Sequence, residues 1–343
     1  MRRIVIDRPG GYGRLRVEDA PDPLPGEGEI LVDVAAVGVN YADCVIRMGL
    51  YASAREMVGY PITPGFEAAG TIAALGPGVE GPAPGTAVMA LTLFGGYATR
   101  LCVPARQVFA LPPNVSIEQA AGFPTVFLTA WYALHELAHP HAGDTLLVHS
   151  AAGGVGGALV QLGRRLGCRV VGVVGAEEKA AVAESLGADE VLVKSSRLWE
   201  RLRRLSPAGY DVILDANGGP GLRDGYRHLA PGGKLVVYGF HTMLPRGKGR
   251  PSWPKLVIDY LRTPRFDPLK LTRDNRNVLA FNLSFMSEKA DLLARGLGEM
   301  LSWVAAGDIR PLAVTTYPFA EIARAHRDLE SGNTTGKLVL ITG

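Results

Sequence analysis

From Thr145 onward, apolar runs alternate with glycine turns and amphipathic stretches along the chain. Continuous runs of Val, Ile and Leu are typical of parallel strands that are covered on both faces, and the amphipathic stretches are typical of crossover helices. The pattern therefore predicts an α/β fold with a doubly wound parallel sheet. Its strands are predicted in the segments TLLVHS, CRVVGVV, EVLV, DVILDA, KLVVYGF and VLAFNLSF.

The first 120 or so residues have a different pattern, in which short β-rich runs such as residues 30–37 and 71–75 lie between clusters of Gly and Pro. This pattern predicts a compact, partly barrel-like β domain. After about Phe285 an amphipathic helix leads to short C-terminal strands, which we expect to return to the first domain. Residues 241–277 interrupt the alternation between the fifth and sixth strands and are expected to form a helix flanked by loops.

Length, composition and charge indicate the class of protein. The 343 residues exceed the usual length of one domain and predict two. A hydrophobic fraction of 47% is typical of a soluble globular protein, and a formal net charge of +3 is too small to indicate nucleic-acid binding. The three widely spaced cysteines build no disulfide framework, and no apolar run reaches about 18 residues. We therefore expect a cytoplasmic protein that is neither secreted nor membrane-spanning.

The strongest chemical signal is the glycine-rich run from His149 to Gly156, which follows the first of these strands and precedes a helix. Glycines at such a turn let the backbone approach a pyrophosphate, and the helix N-terminus offers free N–H groups. A tight turn with a purely structural role is the alternative. Because strand, turn, helix and next strand follow at the required spacing, the motif predicts dinucleotide binding.

The end of the second predicted strand indicates which dinucleotide is bound. An NAD site needs an acidic residue there to bond the ribose hydroxyls, but the strand ends in Gly175 and Ala176. Lys179 follows shortly afterwards, and Lys194 stands just past the third strand. Two lysines close to a strand end that has no acidic residue favour binding of a 2′-phosphate and hence of NADPH. The alternative is that both lysines are solvated surface residues.

Further motifs support a family resemblance. Residues 38–43 read GVNYAD and are followed by Arg47 and Tyr51, residues 64–70 read PGFEAAG, and residues 128–130 read LTA. With the glycine turn, these motifs make nearly the whole chain resemble the zinc-independent quinone oxidoreductase branch of the medium-chain dehydrogenase/reductase superfamily. The stretch that ends at Phe285 and the insertion before it resemble the synaptic-vesicle membrane protein (vesicle amine transport) subgroup of that branch.

The resemblance implies a domain organisation and an oligomeric state. A GroES-like, β-rich catalytic domain would comprise residues 1–123 and 287–343, with a Rossmann nucleotide-binding domain, residues 124–286, inserted in it. The family also implies a homodimer, commonly formed by pairing of the last Rossmann strands at the sheet edge.

Zinc-dependent relatives hold their metal with a cysteine in the first motif and a histidine in the second. Here those positions are Asn40 and Phe66, and neither an amide nor a phenyl ring suits Zn²⁺ as a primary ligand. We therefore expect no metal site, and interpret Glu67 as a structural or hydrogen-bonding group. His135 and His139 stand four residues apart, but helix-end histidines are common, so a metal there is also disfavoured.

The resemblance implies that Asn40, Tyr51 and Thr129 are catalytic. Thr129 would hold the nicotinamide end of the cofactor, Asn40 would orient the ring or substrate, and Tyr51 would hydrogen-bond or protonate the developing enolate. Structural alternatives stay open, in which Asn40 caps a turn, Thr129 bonds its helix backbone and Tyr51 packs at the rim of the cleft. Asp43 and Arg47 are expected to form a structural pair that supports this loop.

The resemblance also implies which residues bind the cofactor. The predicted set is Asn40, Thr129, Ala152, Gly153, Gly154, Val155, Gly175, Lys179, Lys194, Asn217, Tyr238, Phe240, Phe281, Leu283 and Lys337.

Together these features predict hydride transfer from NADPH to a quinone or an α,β-unsaturated carbonyl compound bound between the domains. A second hypothesis is an NADPH-binding protein with little turnover that acts through membrane or partner contacts of residues 241–277. The basic residues of that stretch, among them Arg246, Lys248 and Arg250, are interpreted as a solvated loop, with contact to anionic lipid or nucleic acid as the alternative.

Overall fold

The computed structural model describes residues 1–244 and 247–343, so Arg246 of the predicted basic stretch lies outside the described residues. The chain folds into two compact units. The first comprises Met1–Leu128, Arg246–Arg250 and Leu283–Gly343, and the second comprises Thr129–Pro245 and Pro251–Asn282.

The strands of the described residues are numbered in chain order. They are β1 (Arg2–Ile6), β2 (Leu15–Asp19), β3 (Glu29–Val39), β4 (Glu67–Leu75), β5 (Ala87–Leu91), β6 (Arg100–Pro104), β7 (Val108–Ala110), β8 (Thr145–His149), β9 (Arg169–Val174), β10 (Glu190–Val193), β11 (Tyr210–Asp215), β12 (Leu229–Val237), β13 (Asn277–Ala280), β14 (Val314–Pro318) and β15 (Lys337–Ile341).

The α-helices are numbered in the same way. They are α1 (Tyr41–Arg47), α2 (Ile117–Ala121), α3 (Pro124–Trp131), α4 (Gly154–Arg165), α5 (Ala180–Ser185), α6 (Leu198–Leu205), α7 (Leu222–Arg227), α8 (Trp253–Arg262), α9 (Pro268–Asp274), α10 (Ala290–Ala306) and α11 (Ile322–Ser331).

The first unit is built around a seven-stranded sheet in which β14, β15, β3, β4, β5 and β7 are neighbours in that order and β6 also pairs with β3. Strand β3 pairs with β4, β6 and β15, and its Ile30, Val32 and Val37 are buried in the core of the unit. The last strand pairs antiparallel with β3, with Leu338 opposite Val39. The predicted β domain and the return of the C-terminal strands to it are therefore confirmed.

The second unit contains six strands, all parallel, in the order β10, β9, β8, β11, β12, β13. This is the strand order of a Rossmann sheet, and the order reverses direction between β8 and β11. The predicted α/β fold, with a doubly wound sheet inserted in a β-rich domain, is confirmed. The sixth strand is shorter than its apolar run suggests, because it ends at Ala280 and a 3-10 turn covers Leu283–Phe285.

The helix after Phe285 forms as predicted. In α10 the buried positions include Leu293, Leu297, Met300 and Val304, whose spacing of three to four residues places them on one face. Gly307 then ends the helix in the left-handed conformation that glycine adopts without strain.

The stretch 241–277 holds two helices, α8 and α9, rather than one. Helix α8 packs against the turns at residues 219–221 and 241–243, yet none of its residues is buried. Trp253, Tyr260 and Leu261 are among its exposed side chains. Among the described residues, the helices are all too short or too polar to cross a membrane.

Candidate active site

The glycine turn joins β8 to α4. Residues 152–155, all predicted to bind the cofactor, span the end of this turn and the start of α4, with Gly153 as the N-cap and Gly154 as the first helical residue. A Cβ atom on Gly156 would lie 2.1 Å from the backbone oxygen of Ser150, so the turn and helix can approach this closely only with glycine there. The turn thus places the first N–H groups of a twelve-residue helix at the carboxyl end of β8, where an anion can accept from them.

The second and third strands of this sheet end side by side. Val174 pairs with Val193 in parallel register, and the Lys194 N–H donates to the Val174 oxygen over 2.9 Å. Gly175 follows, and apart from its two chain neighbours no described residue has an atom within 4 Å of the position that its Cβ would take. Lys179 is only 7% exposed, whereas Lys194 is exposed. This end of the sheet therefore combines open space with two lysines, which suits a phosphate.

The remaining strands bring further predicted residues to the same edge. Asn217 follows β11, Tyr238 and Phe240 follow β12, and Phe281 follows β13. The ring of Phe281 lies 6.3 Å from that of Tyr238, and the buried Tyr238 hydroxyl has no hydrogen-bond partner among the described residues. Burial raises the pKa of Tyr238, so its hydroxyl stays protonated. An unpartnered buried donor at the carboxyl edge of a Rossmann sheet is suited to contact with a bound ligand.

Two other predicted residues lie at the limits of the units. Thr129 is half-buried in α3 and begins the second unit. Leu283 is half-buried and starts the 3-10 turn with which the chain returns to the first unit. Their roles stay predictions.

In the first unit, Asn40, Glu67 and Lys337 form a buried cluster, which we call the Asn40 triad. The Asn40 amide nitrogen donates to Glu67 Oε1 over 2.8 Å. Lys337 Nζ donates to Asn40 Oδ1 at 2.7 Å, to Glu67 Oε1 at 2.7 Å and to the Val39 oxygen at 3.1 Å. The second Glu67 oxygen accepts from the Thr125 N–H over 2.7 Å. Every member of the triad is less than about a tenth exposed.

Lys337 is predicted to bind the cofactor, and in the structure its ammonium group belongs to the Asn40 triad. An ammonium group has three protons, and the three acceptors of Lys337 all lie in the first unit. The position of Lys337 follows from strand pairing, because β15 begins at Lys337 and the next residue, Leu338, lies opposite Val39. That register places Lys337 beside Asn40, and no local sequence pattern indicates it.

Asp43 holds the segment that contains Asn40. Its carboxylate accepts from the Asn40 N–H at 2.8 Å, from the Gly65 N–H at 3.1 Å and from the Tyr97 hydroxyl at 2.9 Å. Burial raises the pKa of Asp43 to about 7, against the opposing effect of these hydrogen bonds. The predicted pair of Asp43 with Arg47 is wrong, because Asp43 turns back to cap the N-terminus of α1.

Arg47 instead forms a fully buried ion pair with Glu330 of α11. Its guanidinium also donates to the Gly10 oxygen, to the Gly249 oxygen and to His326 Nδ1. Within the described part of the chain, one cluster of potential metal-ligating groups occurs, formed by Cys44, His326 and Glu330. Because two of these three side chains already accept from a cation, the cluster is poorly suited to a metal ion.

An aromatic cluster forms around Phe66, which directly follows Gly65. The rings of Tyr51 and Phe66 meet edge to face with centroids 5.9 Å apart, and Phe94 lies 5.5 Å from Phe66. Ile46 and Ile62 belong to the same apolar cluster. Phe66 is thus packed among apolar side chains where zinc-dependent relatives need a histidine. Neither this ring nor the Asn40 amide fits a catalytic zinc ion.

Comparison with known proteins decides the family. Residues 26–113 match the model of the alcohol dehydrogenase GroES-like domain, and residues 186–340 match that of the zinc-binding dehydrogenases. The human synaptic vesicle membrane protein VAT-1 homolog is 30% identical over 352 aligned residues, which cover 100% of this chain and 87% of the relative. The chain belongs to the medium-chain dehydrogenase/reductase superfamily, in its quinone oxidoreductase-like group. The predicted resemblance, including the synaptic-vesicle subgroup, is confirmed.

Solved structures of this superfamily share the fold. The Escherichia coli quinone oxidoreductase complexed with NADPH is 28% identical, with a TM-score of 0.85 and coverage of 99% of this chain and 100% of that one. The CurK enoyl reductase is 25% identical, also with a TM-score of 0.85, and the match covers 99% of this chain and 98% of that one. This medium-chain dehydrogenase/reductase therefore resembles NADPH quinone oxidoreductases and enoyl reductases in fold.

Proposed function

We propose that the protein is an NADPH-dependent reductase that transfers hydride to a quinone or an α,β-unsaturated carbonyl compound and that it works without zinc. The Asn40 triad is the observation that supports this function best. In it an amide, a carboxylate and an ammonium group are already bonded to one another, and Asn40 stands at the motif position at which the resemblance expects a cysteine ligand in zinc-dependent relatives.

The triad disfavours zinc for an electrostatic reason. Glu67 is the carboxylate that contacts the Asn40 and Lys337 side chains, and both of its oxygens already accept hydrogen bonds. A zinc ion bound to it would lie close to the Lys337 ammonium, and the two cations would repel each other. Without a metal to lower the pKa of a bound alcohol, oxidation of simple alcohols is expected to be slow.

The second unit offers the groups that would hold NADPH. The diphosphate would accept from the N–H groups of residues 153–155, and the 2′-phosphate would lie beside Lys179 and Lys194. Tyr238 and Phe281 would contact the ligand farther along the sheet edge. When bound, NADPH supplies the hydride from C4 of its nicotinamide ring.

The first unit offers the groups that would bind the acceptor. Tyr51 and Phe94 are half-buried and provide aromatic surface against which a flat, conjugated acceptor can pack, and the buried Phe66 ring contacts both of them. Asn40 is proposed to orient the acceptor, and the Tyr51 hydroxyl to donate a hydrogen bond or a proton as charge develops on the acceptor oxygen. Thr129 is proposed to orient the nicotinamide end.

The function is tested with purified protein that has been treated with a chelator. We expect NADPH consumption with quinones, enones or enals, and almost no reduction of NADP⁺ with ethanol or other primary alcohols. Elemental analysis should find less than stoichiometric zinc. About one tightly held zinc per chain, with activity lost on chelation, would contradict the proposal. Tight NADPH binding with no turnover on any conjugated acceptor would favour the alternative of a binding protein.

Cofactor preference is tested by replacing Lys179 with Ala. Loss of a charge-assisted contact to the 2′-phosphate, worth about 1.5–3 kcal/mol, should weaken NADPH binding by roughly tenfold to a hundredfold. NADH has no such phosphate, so its dissociation constant should stay nearly constant. Calorimetric titration of both cofactors measures the difference, and the exposed Lys289→Ala is the control. Equal weakening of both cofactors would place the phosphate elsewhere.

A further inference from the structure

We infer that Asn40 presents a single, fixed N–H donor to the oxygen of the acceptor, and that Glu67 and Lys337 are positioning residues that set its orientation. This inference rests on the proposed function, because it assigns a task to a group in the acceptor site. It concerns the direction of one amide group, which the hydrogen bonds of the Asn40 triad determine.

The orientation follows from the chemistry of the two neighbours. Lys337 Nζ can only donate, so the Asn40 atom that lies 2.7 Å from it must be the amide oxygen. The Glu67 carboxylate can only accept, so the Asn40 atom 2.8 Å from it must be the amide nitrogen. A flipped amide would set two donors against each other and two acceptors against each other. Both contacts would then be repulsive, which excludes the flipped orientation.

The partners of the amide are themselves held in place. Glu67 is anchored at its other oxygen by the Thr125 N–H, 2.7 Å away. A Cβ atom on Gly38 would lie 2.3 Å from Glu67 Oε1 and 2.2 Å from the Ala121 oxygen, so the carboxylate occupies space that only a glycine leaves open. The triad is therefore set in its geometry before any ligand binds.

One of the two amide protons of Asn40 has no acceptor within the triad. The oxygen accepts from Lys337, and one of the two N–H groups donates to Glu67. Among the described residues, Glu67 is the one acceptor for the amide nitrogen, and the second N–H is therefore proposed to donate to the bound acceptor. Donation from Lys337 to the amide oxygen also polarises the amide and makes that N–H a stronger donor. Such a donor stabilises negative charge that develops on a carbonyl or quinone oxygen.

The obvious variants are Lys337→Met and Glu67→Gln, but each leaves a buried group without its partner. Either single change therefore lowers stability for reasons unrelated to the orientation of Asn40. The double variant Glu67→Gln/Lys337→Met removes both charges and should recover most of that stability. It keeps Asn40 but leaves both orientations of its amide possible. The effect of amide orientation on kcat can then be measured without a large loss of stability.

The experiment compares the wild type, both single variants and the double variant. We expect the double variant to unfold near the wild-type midpoint, while kcat for an enone, measured at saturating NADPH, falls roughly tenfold to a hundredfold. KM should change much less than kcat, because the donor acts on charge that develops in the transition state. In ¹⁵N-labelled protein, the Asn40 side-chain amide signals should be sharp in the wild type and shifted or broadened in the double variant.

Asn40→Ala is the matched change at the amide itself. It removes the N–H donor while Glu67 and Lys337 still pair with each other over 2.7 Å, so we expect at least the same fall in kcat. A double variant that folds, binds NADPH and keeps wild-type kcat would overturn the inference while leaving the proposed reductase function intact. A wild-type protein that turns over no conjugated acceptor would overturn the proposed function instead. In that case the Asn40 amide signals alone would still test the fixed orientation.

Discussion

Replacement of Arg47 with Met is expected to lower the free energy of unfolding by about 3–5 kcal/mol, the usual cost of removing one partner from a buried ion pair. The change leaves the Glu330 carboxylate without its cation in a place where it is fully buried. The backbone oxygens of Gly10 and Gly249 also lose their guanidinium donor. Urea unfolding followed by circular dichroism measures the difference.

A surface arginine provides the control for this loss. Arg324 pairs with Glu321 on the same part of the chain, but its side chain is 64% exposed. Arg324→Met should therefore cost less than about 1 kcal/mol. The double variant Arg47→Met/Glu330→Met should be more stable than Arg47→Met alone, because no charge is then left buried. If Arg47→Met and Arg324→Met lowered the free energy of unfolding by similar amounts, burial of the Arg47 ion pair would not explain its contribution to stability.

Gly156→Ala is expected to weaken NADPH binding at least about tenfold, which corresponds to about 1.4 kcal/mol. The added methyl group would lie 2.1 Å from the Ser150 oxygen, far inside van der Waals contact, and that oxygen belongs to backbone, which cannot move aside as a side chain can. The turn or the start of α4 must therefore shift, and the N–H groups offered to the diphosphate shift with it. Calorimetric titration with NADPH measures the loss.

Gly298→Ala is the matched control, because Gly298 also lies within a helix, α10, but has open space around its Cβ position. In a helix interior Ala is favoured over Gly by roughly 0.5–1 kcal/mol, so this variant should be slightly stabilised and should bind NADPH normally. If Gly156→Ala bound NADPH as tightly as the wild type, the glycine turn would be a structural turn and the diphosphate would bind elsewhere.

The partners of Arg47 also explain why the predicted pair of Asp43 with Arg47 does not form. Asp43 and Arg47 stand four residues apart on one short helix, a spacing at which opposite charges often pair. Each found a better partner, because Asp43 caps its own helix and Arg47 faces α11. A rule based on local spacing takes no account of a partner that is distant in the chain, as Glu330 is from Arg47.

The sequence by itself determined the elements of the Rossmann sheet, the glycine turn and the absence of zinc ligands at Asn40 and Phe66. These features are local, because apolar periodicity and glycine positions specify strands and turns within about ten residues. Only the tertiary structure decided the partners of the polar groups. Lys337 lies 297 residues from Asn40, and Glu330 lies 283 residues from Arg47. The register of β15 on β3 and the packing of α11 on α1 bring them together, and neither is encoded by any local pattern.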